Sequence, residues 1–162
     1  MRRLSITGLG LLTCAALSLA GCEHGIGLQG KVSVPSHVQR MFSAQHPGEL
    51  VVKAQIIGQP DITVPSVILC DATNAERVID VKYVKLACVN EDTALVSAWV
   101  VPRTAQEVSC SHPPAQPRPL DAQQASSALA FGRTVVPVTL AAEAPTGCRD
   151  GWITFALTVA PR

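Results

Sequence analysis

The stretch Glu49-Leu-Val-Val-Lys-Ala-Gln-Ile-Ile57 decides the fold class. Leu50, Val52, Ala54 and Ile56 share one face, while Val51, Lys53 and Gln55 share the other. A period of two is the pattern of a strand with one side turned to a core. Gly48 before it and Gly58-Gln-Pro60-Asp61 after it are turn formers. Working outward, residues 63–70 form a second run, and Pro65 bars it from a central place because proline has no N–H for the ladder. Residues 77–89 form a third, with Ile79, Val81 and Tyr83 on one face. Asn90-Glu91-Asp92 is a turn, and residues 94–101 follow, apolar on both faces and therefore central. These two runs predict a hairpin. Residues 134–142 and 151–160 complete the set, with Ala144-Pro-Thr-Gly147 as the turn between them. In the last strand Ile153, Phe155, Leu157 and Val159 are expected to point inward. Helical propensity is confined to residues 121–129, enough for a turn or two. About seven short strands with little helix predict an all-β fold, a single β-sandwich.

The chain has 162 residues, the length of one domain. Its 13 basic and 12 acidic residues leave a net charge of +1. That balance supplies no drive toward nucleic acid, and no nucleic-acid partner is expected. Two Trp, one Tyr and three Phe are too few to fill a core, so aliphatic side chains must do it.

The amino terminus has a different character. Arg2 and Arg3 precede an apolar run from Leu4 to Ala20, interrupted by Gly8 and Gly10. It sits at the lower limit of the ~20 apolar residues that span a hydrocarbon core. Basic residues, a short apolar stretch and small residues before Cys22 form an export signal. Leu19-Ala20-Gly21-Cys22 resembles the lipobox of a bacterial lipoprotein signal peptide. The resemblance implies that residues 1–21 are removed. Cys22 then becomes the first residue, with a diacylglyceryl group on its sulfur and a further acyl chain, such as palmitate, on its amino group. More than one chain is needed for lasting attachment to a membrane. Glu23, in place of an aspartate, implies the outer rather than the inner membrane, with the domain facing the periplasm or the cell surface. Glu23-His-Gly-Ile-Gly-Leu-Gln-Gly30 carries three glycines and reads as a flexible spacer. The expected organisation is therefore a signal at 1–21, a lipidated cysteine and tether at 22–30, and the β-sandwich at 31–162.

Cys14 leaves with the signal, so Cys70, Cys88, Cys110 and Cys148 remain for disulfides. An even number in an exported domain implies a disulfide framework, and four cysteines allow three pairings. Cys70–Cys88 with Cys110–Cys148 is the preferred pairing, because each closes a modest loop between expected neighbours. The order Cys88, Trp99, Cys148 resembles the immunoglobulin pattern, although Thr146 stands where that family has a tyrosine. That resemblance implies an immunoglobulin-like sandwich with Cys88 bonded to Cys148; Trp99 by itself reads as a core or sheet-face aromatic. The alternative is a transthyretin-like sandwich.

Enzyme signatures are missing: there is no Gly-x-Ser-x-Gly elbow, no His-Glu-x-x-His helix and no phosphate-binding loop. Gly25-x-Gly27-x-x-Gly30 has the dinucleotide spacing but lacks the strand before and the helix after that give the motif its anion site. Glu91-Asp92 reads as turn chemistry, and His24, His37 and His46 as scattered surface histidines. Cys110-Ser111-His112 offers a thiolate and an imidazole to a metal, but no second such pair exists, so no metal or other cofactor is expected. Residues 113–119 hold a run of prolines and read as a stiff loop. Trp152, entering the last strand after Asp150-Gly151, is the candidate partner-binding residue. Gly30-Lys-Val-Ser-Val-Pro35 followed by Pro47-Gly48-Glu-Leu-Val-Val52 is similar to small pilotin-like assembly lipoproteins. The expected function is a lipid-anchored, non-catalytic binding or assembly module for another envelope protein or polymer. The alternatives are a lipid-anchored enzyme with an unfamiliar site, or a metal-handling module built on Cys110 and His112.

Overall fold

The computed structural model describes residues 24–71, 76–86, 93–112, 118, 120–141 and 149–162. Among these residues, nine strands and two short helices follow one another as β1 (His24–Ser33), α1 (Ser36–Gln39), β2 (Gly48–Ile56), β3 (Ile62–Thr63), β4 (Val67–Leu69), β5 (Glu76–Leu86), β6 (Thr93–Pro102), α2 (Ala122–Ser126), β7 (Ala130–Leu140), β8 (Gly151–Thr158) and β9 (Ala160–Pro161). The class is all-β, as expected. The architecture differs from the expected sandwich of about seven strands: the nine strands form one curled sheet, a half-barrel, in the order β3-β2-β6-β7-β8-β1-β5. β4 pairs with β2, and β9 with β7. β1 and β8 run parallel, which a chain of simple hairpins does not produce.

Over residues 24–30 the expected tether is corrected by β1, while residues 22 and 23 lie outside the described residues. This strand is an interior member of the sheet, antiparallel to β5 on one side and parallel to β8 on the other. Its glycines serve close approach. Gly27 lies across from Trp152 and Gly30 across from Phe155. A methyl group built on either glycine would fall inside the facing aromatic ring. Glycine in a strand beneath a cross-strand aromatic is a packing device, with the ring covering backbone that glycine leaves bare.

The expected hairpin between residues 77–89 and 94–101 is also corrected. β5 pairs with β1 at one edge of the sheet, and β6 lies between β2 and β7. With β1 unrecognised as a strand, β5 had no other visible partner. The central position expected of β6 is observed. Pro65 falls where the predicted run 63–70 splits into the short strands β3 and β4. Pro137 marks a second junction: β7 pairs with β6 up to Pro137 and with β8 from Val138 onward. A residue without an N–H suits the place where the ladder changes partner.

The core fills the concave side of the sheet. Ile26, Leu28 and Val32 of β1 meet Leu50, Val52, Ala54 and Ile56 of β2 and Val96, Ala98 and Val100 of β6. Ile153, Phe155, Leu157 and Val159 complete it, as their alternation predicts, and Val38 and Phe42 close one end. Each fully buried aliphatic side chain of this kind contributes roughly 1.5–3 kcal/mol.

Cys70 is bonded to Cys110, with Cα atoms 6.0 Å apart, which corrects the preferred pairing of Cys70 with Cys88 and of Cys110 with Cys148. The sheet order explains it. Leu69 of β4 and Pro102 of β6 flank the same residue, Gly48 of β2, so the chains leaving β4 and β6 emerge side by side. Cys22 and the signal segment, Cys88, Cys148, the turns at 90–92 and 144–147, most of the proline-rich loop and the face expected of Ile79, Val81 and Tyr83 lie outside the described residues.

Candidate functional site: a cleft beside Trp99

The convex side of β2 and β6 carries Glu49 and Val51 on one strand and Trp99 and Val101 on the other. The connection from β6 to β7 folds back over this face, which is why β6 is apolar on both sides. Val51 and Val101 are buried there together with Val108 from the connection.

An ion pair clamps the connection to the sheet. Arg103 Nε donates to Glu49 Oε2 at 2.5 Å, with the Glu49 side chain fully buried and that of Arg103 only 5% exposed. The Arg103 N–H also donates to the Pro47 carbonyl at 2.8 Å. Burial this deep makes the pair strongly interdependent, because either charge alone would be stranded away from water. Just beyond it, Glu107 Oε2 accepts from the Thr104 N–H at 2.8 Å and from the Thr104 hydroxyl at 3.0 Å. Those two bonds, followed by the charges of Arg103 and Arg118, hold the exposed Glu107 carboxyl below its ordinary value of 4.5 despite a small opposing cost of desolvation.

α2 forms where helical propensity was expected. Asp121 Oδ1 accepts from the Gln124 N–H at 2.7 Å, and the Gln124 side chain accepts in return from the Asp121 N–H at 3.3 Å. This reciprocal capping fixes the start of a helix too short to stand alone. Arg162 secures it further: its guanidinium donates to the Ala125 carbonyl at 2.8 Å and lies 5.2 Å from the centre of the Phe131 ring. Phe131 in turn packs at 5.3 Å against Trp99.

Between α2 and the sheet lies a cleft of about 320 Å³. Val51 and Trp99 line it from the sheet, Leu120, Ala122 and Ala125 from the α2 side, and Lys53, Asp61, Thr63 and Asp121 supply its polar groups. Trp99 is half-buried here, on the convex side, so of the two places its sequence reading allows, core or sheet face, it takes the sheet face. Lys53 and Asp61 are ion-paired with one another. Asp121 is engaged in the cap. Among the described residues, none that lines the cleft is a cysteine, serine or histidine. An indole wall with a hydrogen-bonding rim suits reversible binding of a group that stacks on Trp99.

The other sequence candidates lie apart from this cleft. Trp152 stands on the convex face of β8, 49% exposed, with Gly27 on one side and Thr139 on the other. Near it the Gly25 N–H donates to Asp150 Oδ1 at 3.0 Å, joining the first residues of β1 to the approach to β8. Cys110 is spent in the disulfide, so the thiolate needed for a metal pair with His112 is not available in this state. Among the described residues no group of three or more His, Cys, Asp or Glu side chains is placed to hold a metal ion. The sequence reading missed the cleft residues Lys53, Asp61, Thr63 and Asp121. One signal pointed that way: Lys53 interrupts the outward face of β2, and its cross-strand partner is Thr63.

A scan of family models, a search of curated proteins and a search of solved structures find no match to this chain.

Proposed function

We propose that the protein is a lipid-anchored, non-catalytic component of a bacterial envelope that binds another envelope protein or polymer through the cleft beside Trp99. The observation that carries the reading is the Cys70–Cys110 disulfide, which belongs to an oxidising compartment and so supports export directed by the amino-terminal signal. The lipobox resemblance at Leu19-Ala20-Gly21-Cys22 then supplies the anchor, and Glu23 favours the outer membrane. The cleft supports binding over chemistry: its charged side chains are already paired or capping, and its open surface is an indole with a polar rim.

With Cys70 and Cys110 joined, Cys88 and Cys148 are the two thiols left for the second bridge. Peptide mapping of unreduced protein is expected to recover Cys88 joined to Cys148. Free thiols at both positions would remove that part of the reading.

The test of binding is cross-linking in intact cells from a photoreactive residue at Ala125, on the cleft wall. A reproducible adduct that disappears on Trp99→Ala supports the assignment. An adduct indifferent to Trp99, or none, overturns it.

A further inference from the structure

The structure leaves almost no chain between the lipid-bearing residue and the folded sheet. Cys22 is two residues before His24, where β1 is already in register opposite Leu86 of β5. Two extended residues reach at most about 7 Å. The start of β1 is tied on its other side as well, through the Gly25–Asp150 bond and the parallel pairing with β8 from Ile26 onward. A lipid held at that distance therefore restricts where the sheet can stand; among the described residues the convex face of β1 and β8 is exposed, while the concave face is filled by Ile26, Leu28, Ile153 and Phe155.

That convex face carries the exposed Trp152, its ring laid over the bare backbone of Gly27. Gln29 and Thr154, the next pair along it, are exposed and uncharged, and Val78 of β5 is 64% exposed on the same side. An indole is the side chain that settles at the level of lipid headgroups, because its body is apolar and its N–H is polar.

Resting on the reading that Cys22 is lipidated, we infer that the convex face of β8 and β1 lies against the bilayer surface, with Trp152 as a second, non-covalent contact beside the acyl chains. The domain sits flush on the membrane, and the Trp99 cleft, on β2 and β6 farther round the curl, is left open to partners.

The test uses the full chain, processed in a bacterial host and reconstituted into phosphatidylethanolamine–phosphatidylglycerol vesicles containing lipids brominated close to the headgroup. Mass analysis of the amino-terminal peptide reports separately on the lipid at Cys22. With the lipid present, Trp99→Phe protein, in which Trp152 is the sole tryptophan, is expected to lose about half its emission to the brominated lipid. If loss of the Trp99 ring disturbs the fold, the comparison of unaltered protein with Trp152→Phe decides: the quenched component is expected to vanish in the variant. A lipidated protein whose Trp152 emission is untouched by bromine, yet open to aqueous quencher, overturns the docking while leaving the anchor standing. A bare Cys22 overturns both.

Discussion

Gly27 shows how a single residue is decided by its neighbour. The Trp152 ring occupies the space a side chain would need, so even one methyl group must displace the indole or the strand. Gly27→Val is expected to cost roughly 1–3 kcal/mol of stability, in the range of other overpacking changes, and to shift the tryptophan emission. Urea unfolding followed by fluorescence reads both. The Glu49–Arg103 pair makes the opposite kind of demand. Arg103→Met strands a buried carboxylate, and the expected loss is about 3–5 kcal/mol. Pairing it with Glu49→Leu should return most of that loss, because no uncompensated charge then remains. Denaturant midpoints of the two single variants and the double variant measure the coupling. Glu107 sets a pH dependence of known sign. Its carboxylate is favoured by the fold, with its pKa held below the ordinary 4.5. Its contribution is therefore complete above that ordinary value and is lost as pH falls through the lower, folded one. Glu107→Gln should flatten the acid limb of the stability profile and leave neutral pH little changed.

Two elements depend on devices outside themselves. The described residues of the connection between β6 and β7 hold one short helix, α2, and Val108 among them is buried against the sheet. The disulfide closes a separation of 40 residues and pins that connection to the end of β4. On the chain-entropy model such a loop is worth about 4 kcal/mol, and the double variant Cys70→Ser, Cys110→Ser should show a loss of that size in thermal or chemical unfolding. α2 has only five residues and no buried side chain, so its cap carries much of its order. Asp121→Ala is expected to cost about 1 kcal/mol and to loosen the cleft wall. Faster amide exchange across residues 122–126, with β6 unaffected, would register it.

At the scale of the whole molecule, the proposed anchor at Cys22 would be coupled to the orientation of the sheet, because β1 begins two positions later at His24, whereas a flexible spacer would let the domain turn freely above a membrane. Cys22→Ala should move the protein out of the membrane fraction while its unfolding midpoint stays the same, since position 22 precedes the first strand. Fractionation and a melt of the same sample check both halves of that expectation.

The all-β class, the inward faces of β2 and β8, the central place of β6, the helical turn at α2 and the exclusion of Pro65 from the middle of the sheet were legible in the sequence. Each depends on a period of two, on local propensity or on a missing N–H, all properties of a few adjacent residues. Tertiary structure alone decided that Gly25 to Gly30 belong to a strand, because the rings that cover two of those glycines sit more than a hundred positions away on β8. It also decided the partner of Cys70, the parallel pairing of β1 and the gathering of Lys53, Trp99 and Asp121 into one cleft. These are relations between strands distant along the chain, and they come into being only when the sheet order brings those strands side by side.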